Sequence, residues 1–278
     1  MSELPEVEIT RRDLDKELQG KKIKTVEVVG TKKAIPAASS KKWFSDKLEG
    51  RIVRTVARRG VILVLDIGDG QDLVVDLGTY GHFRRTRPSQ GAIEHTKVIL
   101  TVPGRGYTQI RLIDQSSTAT MRVVVRERFA ALYFDESELG FDPIDDPMPW
   151  GDFGRMLAAD SRTLKTILTD SKFVVGIGPV YSDEILHAAL LRHDRPSNGL
   201  NTQEVRRLYR AIFETMHNAV KYRGLSLGGR TDLYGDPGRF DELIEVYGRG
   251  GERSRHGRGN VLTARVKGMT HYYCDYQV

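Results

Sequence analysis

Val174-Val175-Gly176-Ile177-Gly178-Pro179-Val180-Tyr181-Ser182-Asp183-Glu184 sets two glycines between two helical patterns. Glycine reaches backbone conformations closed to other residues, so Gly176 and Gly178 permit a sharp turn and a close backbone approach to a ligand. A helix starting beyond the turn offers free N–H groups, the donor set that receives phosphate. Pro179 weakens that offer, because it has no N–H. Lys165, on the helical pattern before the turn, is a candidate cation for the same ligand. A tight turn without a ligand has the same composition, and the flanking chain has to separate the two readings.

Outward from the turn, apolar stripes at helical spacing dominate the second half. Leu164, Ile167 and Leu168 share a face, and Ser182 is a candidate cap for the helix carrying Ile185, Ala189 and Leu190. Asn201 with Glu204 forms a capping-box pattern ahead of Val205, Leu208, Ile212, Met216 and Val220. Upstream, Pro143, Pro147 and Pro149 cluster in 141–150, which reads as a linker. Before the linker the pattern changes. Val7, Thr10, Leu14 and Leu18 suit a helix beginning at Pro5. Strands are expected around Ile23–Val28, Arg51–Ala57, Val61–Ile67, Asp72–Leu77, Lys97–Val102, Tyr107–Ile113 and Thr120–Phe134. The breaks at Gly68-Asp69-Gly70 and Pro103-Gly104-Arg105-Gly106 are turn chemistry, so 1–140 reads as an antiparallel sandwich or barrel behind one helix.

The extreme N-terminus, Met1-Ser2-Glu3-Leu4-Pro5-Glu6-Val7-Glu8, carries chemistry of its own. With Met1 removed, which the small Ser2 permits, an α-amine of pKa roughly 7.7–8.0 is partly neutral near pH 7 and nucleophilic. Such an amine attacks a sugar carbon or aldehyde to give a Schiff base, with Glu3 one residue away to move protons. The same acids also suit the first turn of a helix, where the dipole favours them.

The 278 residues suffice for about two domains. Lys and Arg number 43 against 37 Asp and Glu, a net charge of +6 that is compatible with a polyanion. From Val246 onward six cations (Arg249, Arg253, Arg255, Arg258, Arg265 and Lys267) face two acids, so most of the excess lies in the last segment. Cys274 is the one cysteine, which excludes an internal disulfide framework and fits a reducing cytoplasm. No apolar run of about 18 residues and no charged-then-apolar leader occurs, so a soluble, unexported chain with no membrane partner is expected.

Five segments in order resemble the formamidopyrimidine-DNA glycosylase and endonuclease VIII family. They are Met1–Glu8, Arg58-Arg59-Gly60, Asp76-Leu77-Gly78-Thr79-Tyr80-Gly81, Leu139-Gly140-Phe141-Asp142-Pro143 and the Val174–Glu184 turn; Val246-Tyr247-Gly248-Arg249 then opens the matching C-terminal finger. The resemblance covers nearly the whole chain. It implies an α+β multidomain protein: an N-terminal helix plus antiparallel β-sandwich over 1–140, a linker over 141–150, a helix-two-turn-helix domain over 151–240 and a β-hairpin finger over 241–278. It implies double-stranded DNA as partner, damaged or abasic, contacted by Arg58, Arg59, Lys165, Gly176, Gly178, Arg249, Arg255 and Arg258. It implies Ser2, Glu3 and Glu6 as the catalytic positions, and a monomer.

The departures from the family pattern all fall on chemistry. Ser2 stands where the family usually has a proline nucleophile, and Val61 where it has a phosphate-binding lysine. Thr79 replaces the gap-filling methionine, and Ser116-Ser117-Thr118 after Asp114 replaces the Arg-Arg-Phe wedge. Pro179 replaces the asparagine of the turn, and Met269 the arginine that grips the lesion phosphate. Apolar wedges offset a few kcal/mol of unstacking, and Thr118 is a poor wedge. Of the family's four zinc cysteines only Cys274 remains; Ser254 and Gly257 occupy the first pair, and neither His256 nor His271 has the spacing of a replacement. One thiolate cannot build a tetrahedral zinc site, so a zinc-less finger held by Tyr247, Leu262, Val266 and Tyr273 is expected, with no metal and no cofactor. Three functions fit the resemblance: a DNA-binding member with a degenerate active site, an active glycosylase and lyase using the Ser2 α-amine, and a non-catalytic adaptor for RNA or protein.

Overall fold

The computed structural model describes residues 2–30, 34–37, 39–255, 257–266 and 268–278. Met1, His256 and Lys267, which figure in the sequence reading, lie outside the described residues. The chain forms two compact units, one from residues up to Ser137 together with Arg223–Arg239, the other from Glu138–Tyr222 and Phe240–Val278. The expected division keeps 151–240 together and sets 241–278 apart, whereas Arg223–Arg239 returns to the first unit.

The first unit opens with α1 (Leu4–Leu18), whose Pro5 sits in the first turn where its missing N–H costs nothing. Leu4, Val7, Leu14 and Leu18 of α1 are buried. Strand β1 (Thr25–Val28) and helix α2 (Lys41–Leu48) follow, the helix capped by Ser40 accepting the Trp43 N–H at 2.9 Å. Then come β2 (Thr55–Arg59), β3 (Ile62–Asp66), β4 (Gln71–Asp76), β5 (His82–Thr86), β6 (Thr96–Thr101), β7 (Gln109–Ile113) and β8 (Thr120–Val125). They make two antiparallel four-stranded sheets, β1-β6-β7-β5 and β2-β3-β4-β8. Alternate residues of both sheets, among them Val26, Val98, Leu112, Leu63, Leu73 and Met121, meet in one core, as a sandwich requires. The expected long strand Thr120–Phe134 stops at Val125. Its remainder turns into α3 (Phe129–Leu132), because Phe129 covers Ile62, Val64, Val74 and Val124 on the outer face of the second sheet. β5 and α2 carry no pattern the sequence reading could use, since their polar residues outnumber the apolar ones.

The second unit is helical: α4 (Trp150–Ala158), α5 (Leu164–Leu168), α6 (Pro179–Ala188) and α7 (Thr202–Lys221), then the hairpin β9 (Val261–Val266) and β10 (Met269–Cys274). The 141–150 segment is no free linker, because Phe141 packs on Phe153, Phe173 and Phe213 with ring centroids 5.8, 6.3 and 6.1 Å apart. Gly140 fixes that approach, since a Cβ there would lie 2.1 Å from the Phe173 backbone. The Asn201–Glu204 capping box forms as read from sequence. Ser182, however, does not cap: α6 starts three residues earlier, with Pro179 at its first position, and Ser182 Oγ donates back to the Gly178 carbonyl at 2.5 Å. Among the described residues no helix is long and apolar enough to cross a membrane.

Candidate functional site

In the first unit the N-terminus is tied to the turn after β4. The Ser2 N–H donates to the Gly78 carbonyl at 2.5 Å, and Ser2 Oγ donates to the same oxygen at 3.0 Å. Arg230 Nη1, from the returning segment, donates to Ser2 Oγ at 2.9 Å. Ser2 and Arg230 are buried, 5% and 8% exposed, and Gly78 is half-buried. Gly78 is there for two reasons: its φ of +60° is left-handed, and a Cβ would lie 2.3 Å from Thr118 Oγ1.

Thr118 belongs to the segment standing in place of the family's wedge. Ser116, Ser117 and Thr118 fold into a closed turn around Asp114. Ser116 Oγ donates to Asp114 Oδ1 at 2.5 Å and lies 2.8 Å from Thr118 Oγ1, while the Ala119 N–H donates to Asp114 Oδ2 at 2.8 Å. Thr118 Oγ1 accepts the Thr79 N–H at 2.9 Å, which joins the two substituted loops. Burial disfavours the Asp114 carboxylate. The Ser116 hydroxyl and the N–H groups of Ala119, Thr118 and Ser116 outweigh it and hold the carboxyl below its usual range. Lys97 of β6 donates to Ser117 Oγ at 2.9 Å, a cation at this loop that the sequence reading missed. Val61 lies half-buried on the sandwich core.

Glu3, the N-cap of α1, and Glu6, in its first turn, are both buried. Glu6 Oε1 accepts the Leu225 N–H at 3.1 Å and so anchors the returning segment. Two helical turns on, Arg223 bridges Asp13 and Asp232. Glu8 lies fully buried with Arg11, Arg12 and Arg58 around it at 2.6–3.0 Å. Burial pushes its carboxyl up, but the three guanidinium groups win and hold it at about 2. The expected surface cations of β2 therefore face inward or sideways. Arg58 is 2% exposed against Glu8, and the Arg59 guanidinium sits 4.5 Å from the Phe129 ring centre. The acid that captures Arg58 lies 50 positions away, so no local pattern announces it.

In the second unit the Gly176–Gly178 turn forms as read, with Gly176 at φ +64° and Gly178 capping α6. Lys165 departs from the expectation of a phosphate-facing cation. Its Nζ is buried, 2.5 Å from Asp183 Oδ1 and 2.8 Å from the Pro179 carbonyl. Burial raises the Asp183 carboxyl to about 6 against the pull of Lys165 and of the Tyr272 N–H, which donates to Oδ2 at 3.1 Å. Next to it, the Glu184 carboxylate accepts the N–H groups of Glu245, Val246 and Tyr247 at 2.8–3.0 Å. The acidic pair of α6 thus mounts the finger, a role its sequence does not reveal.

The finger packs through Val246, Val261 and Cys274 with Tyr272 and Tyr276 against them. Leu262 and Val266, expected to hold the hairpin, are exposed, because β9 turns that face outward. Tyr247 packs edge-on to Tyr272 at 5.1 Å, and Tyr273 instead packs on His193 at 4.9 Å. Arg249 donates to Glu252 and to the carbonyls of Glu245 and Arg253, and Arg255 donates to the Glu242 carbonyl at 2.6 Å. Arg258 and Met269 are exposed. Among the described residues no group of three or more His, Cys, Asp or Glu is placed to hold a metal ion. The Cys274 thiol is hydrogen-bonded with Tyr276 and Ser254, Gly257 offers no side chain, and Gln277 Oε1 takes the Cys274 N–H at 2.6 Å.

Comparison with known proteins bears on the whole chain. The formamidopyrimidine-DNA glycosylase N-terminal domain matches residues 1–121, and the formamidopyrimidine-DNA glycosylase H2TH domain matches residues 139–230. The chain is 31% identical over 277 residues to a formamidopyrimidine-DNA glycosylase of Heliobacterium modesticaldum, covering 99% of this chain and 98% of the relative. It is also 31% identical over 275 residues to that of Halalkalibacterium halodurans, covering 99% and 98%. Among solved structures it resembles Lactococcus lactis Fpg bound to DNA with an abasic site, at TM-score 0.85 and 24% identity over 98% of both chains. A mutant of that protein bound to Fapy-dG DNA matches at TM-score 0.85 and 25% identity, over 98% of this chain and 97% of the other.

Proposed function

Since this chain belongs to the formamidopyrimidine-DNA glycosylase family, we propose that it binds double-stranded DNA at damaged or abasic positions and that its glycosylase and strand-cleaving chemistry is impaired or lost. The DNA partner is supported by the Lactococcus lactis structures it resembles, which hold abasic and Fapy-dG DNA, and by the net charge of +6. In this reading the protein works in the cytoplasm as a monomer.

The observation that carries the loss of chemistry is the closed turn around Asp114, whose Ser116 and Thr118 hydroxyls bond to one another, to Asp114 and to the Thr79 N–H in place of a projecting apolar wedge. Residue 2 supports the same reading. Its side chain is a hydroxyl shared between the Gly78 carbonyl and Arg230, and with Met1 attached its nitrogen is a peptide N–H, which has no lone pair to offer a sugar carbon.

Retention of buried Glu3 and Glu6 beside Ser2 favours a second reading, a lyase acting through the Ser2 α-amine. Borohydride reduction in the presence of abasic duplex separates the two. We expect duplex binding whose log-log salt slope scales by roughly −0.9 per phosphate contact, and no covalent adduct. An adduct mapped to residue 2 would overturn the loss of chemistry, and a slope near zero would overturn DNA binding.

A further inference from the structure

In the first unit, guanidinium groups and phenol rings alternate along one line. Arg87 lies 4.8 Å from the Tyr107 ring centre and Arg85 lies 5.2 Å from the same ring. Arg85 is also 4.4 Å from the Tyr234 ring, and Arg223 closes the line 6.0 Å from Tyr234. Arg85 and Arg87 belong to one face of β5 and its continuation, two residues apart, as the strand period requires. Tyr107 arrives on the β6–β7 connection, and Tyr234 on the returning segment, where Leu233 accepts the Arg85 N–H at 2.8 Å.

The inner half of this column has a structural use. Arg223 is neutralised by Asp13 and Asp232, and Arg85 by Glu17 at 2.8 Å. These bonds brace the returning segment against α1 and β5. The outer half has no such use. Tyr107 is 47% exposed and Arg87 is exposed, and neither Arg87 nor the neighbouring Arg105 has an acidic partner among the described residues. A half-exposed aromatic ring pinned by a guanidinium, with two unneutralised arginines beside it, costs solvation and stabilises little of the fold.

We propose that the Tyr107–Arg87 end of this column is a binding site for single-stranded nucleic acid, separate from the duplex binding proposed above. Every base has a π-face, so a rigid phenol ring or guanidinium plane stacks bases without regard to sequence. Arg87 and Arg105 supply the charge for the adjoining phosphates. The column fixes the Tyr107 ring in advance, which lowers the ordering cost of binding. The site lies at the end of β5 and β7 away from the Asp114 turn, because Thr86 pairs with Gln109 at one end and His82 with Ile113 at the other.

Fluorescence anisotropy of the full chain with labelled oligo(dT) of about twelve nucleotides, a length within the range such platforms bind, tests this. The wild type is expected to bind. Tyr107→Ala should weaken binding between about five- and a hundred-fold, the loss of one stacked base, whereas Tyr107→Phe should retain it. Arg87→Met should flatten the salt slope by about 0.7, the value for one phosphate of a single strand. Abasic duplex, titrated in parallel, should bind all three variants as it binds wild type, and its failure to bind wild type would count against the duplex reading alone. No oligo(dT) binding by wild type, or equal binding by a folded Tyr107→Ala, would overturn the proposal.

Discussion

Ser2 and Arg230 lie 228 positions apart in sequence and share a buried hydrogen bond of 2.9 Å. A guanidinium bond to a buried hydroxyl is worth about 2 kcal/mol when one partner is removed. Ser2→Ala and Arg230→Leu are therefore each expected to lower unfolding free energy by about that amount, read from denaturant midpoints. Because the two residues share the contact, the double variant should lose less than the two single losses added together.

Stability should fall steeply in acid because of Glu8. Its carboxyl titrates at about 2 in the folded chain against an ordinary 4.5. The stabilisation it confers is complete above pH 4.5 and disappears as pH falls through 2, amounting to about 3 kcal/mol. Thermal melts between pH 5 and pH 2 should show this slope, and Glu8→Gln should flatten it while lowering stability at pH 7.

Glu184→Ala leaves three N–H groups of the finger base without their carboxylate. Loss of a buried charged acceptor with several donors costs about 3 kcal/mol or more. We expect the segment around Glu245–Tyr247 to become cleavable by protease under conditions where the wild type is resistant, with the sandwich core still protected from hydrogen exchange.

Chelation should leave the finger intact. Gln277 links the Cys274 N–H to the Leu191 carbonyl through bonds of 2.6 Å each, so protein groups fasten the finger to the chain segment after α6. The melting temperature should be unchanged by EDTA, whereas Gln277→Ala should lose about 2 kcal/mol. A drop in melting temperature on chelation would show that a metal had been bound.

Much of the fold is legible in the sequence because its signals are local. The Asn201–Glu204 box, Pro5 in the first turn of α1 and the glycines at Gly68 and Gly70 each act within a few residues. The site is less legible because its partners are distant. Nothing near Lys165 announces Asp183, and nothing near Arg58 announces Glu8, yet these pairings turn two expected phosphate contacts into interior ion pairs. Arg230 and Lys97 have no local pattern at all, since their meaning comes from where the chain returns. Ser182 departs from expectation for the opposite reason: its cap signal is local, but Pro179, three positions earlier, fixes the start of α6.

The first unit is assembled from two stretches of chain separated by Glu138–Tyr222 of the second, whose remainder, Phe240–Val278, follows the return. Glu6 and Asp13, near the beginning, depend on Leu225 and Arg223, which ribosomes supply only after that helical stretch has been made. The clasp therefore closes late in synthesis, and no single cut in the gene yields a whole copy of either half. Exchange of modules between relatives could not be by end-to-end fusion, because each unit takes two separate stretches of the chain.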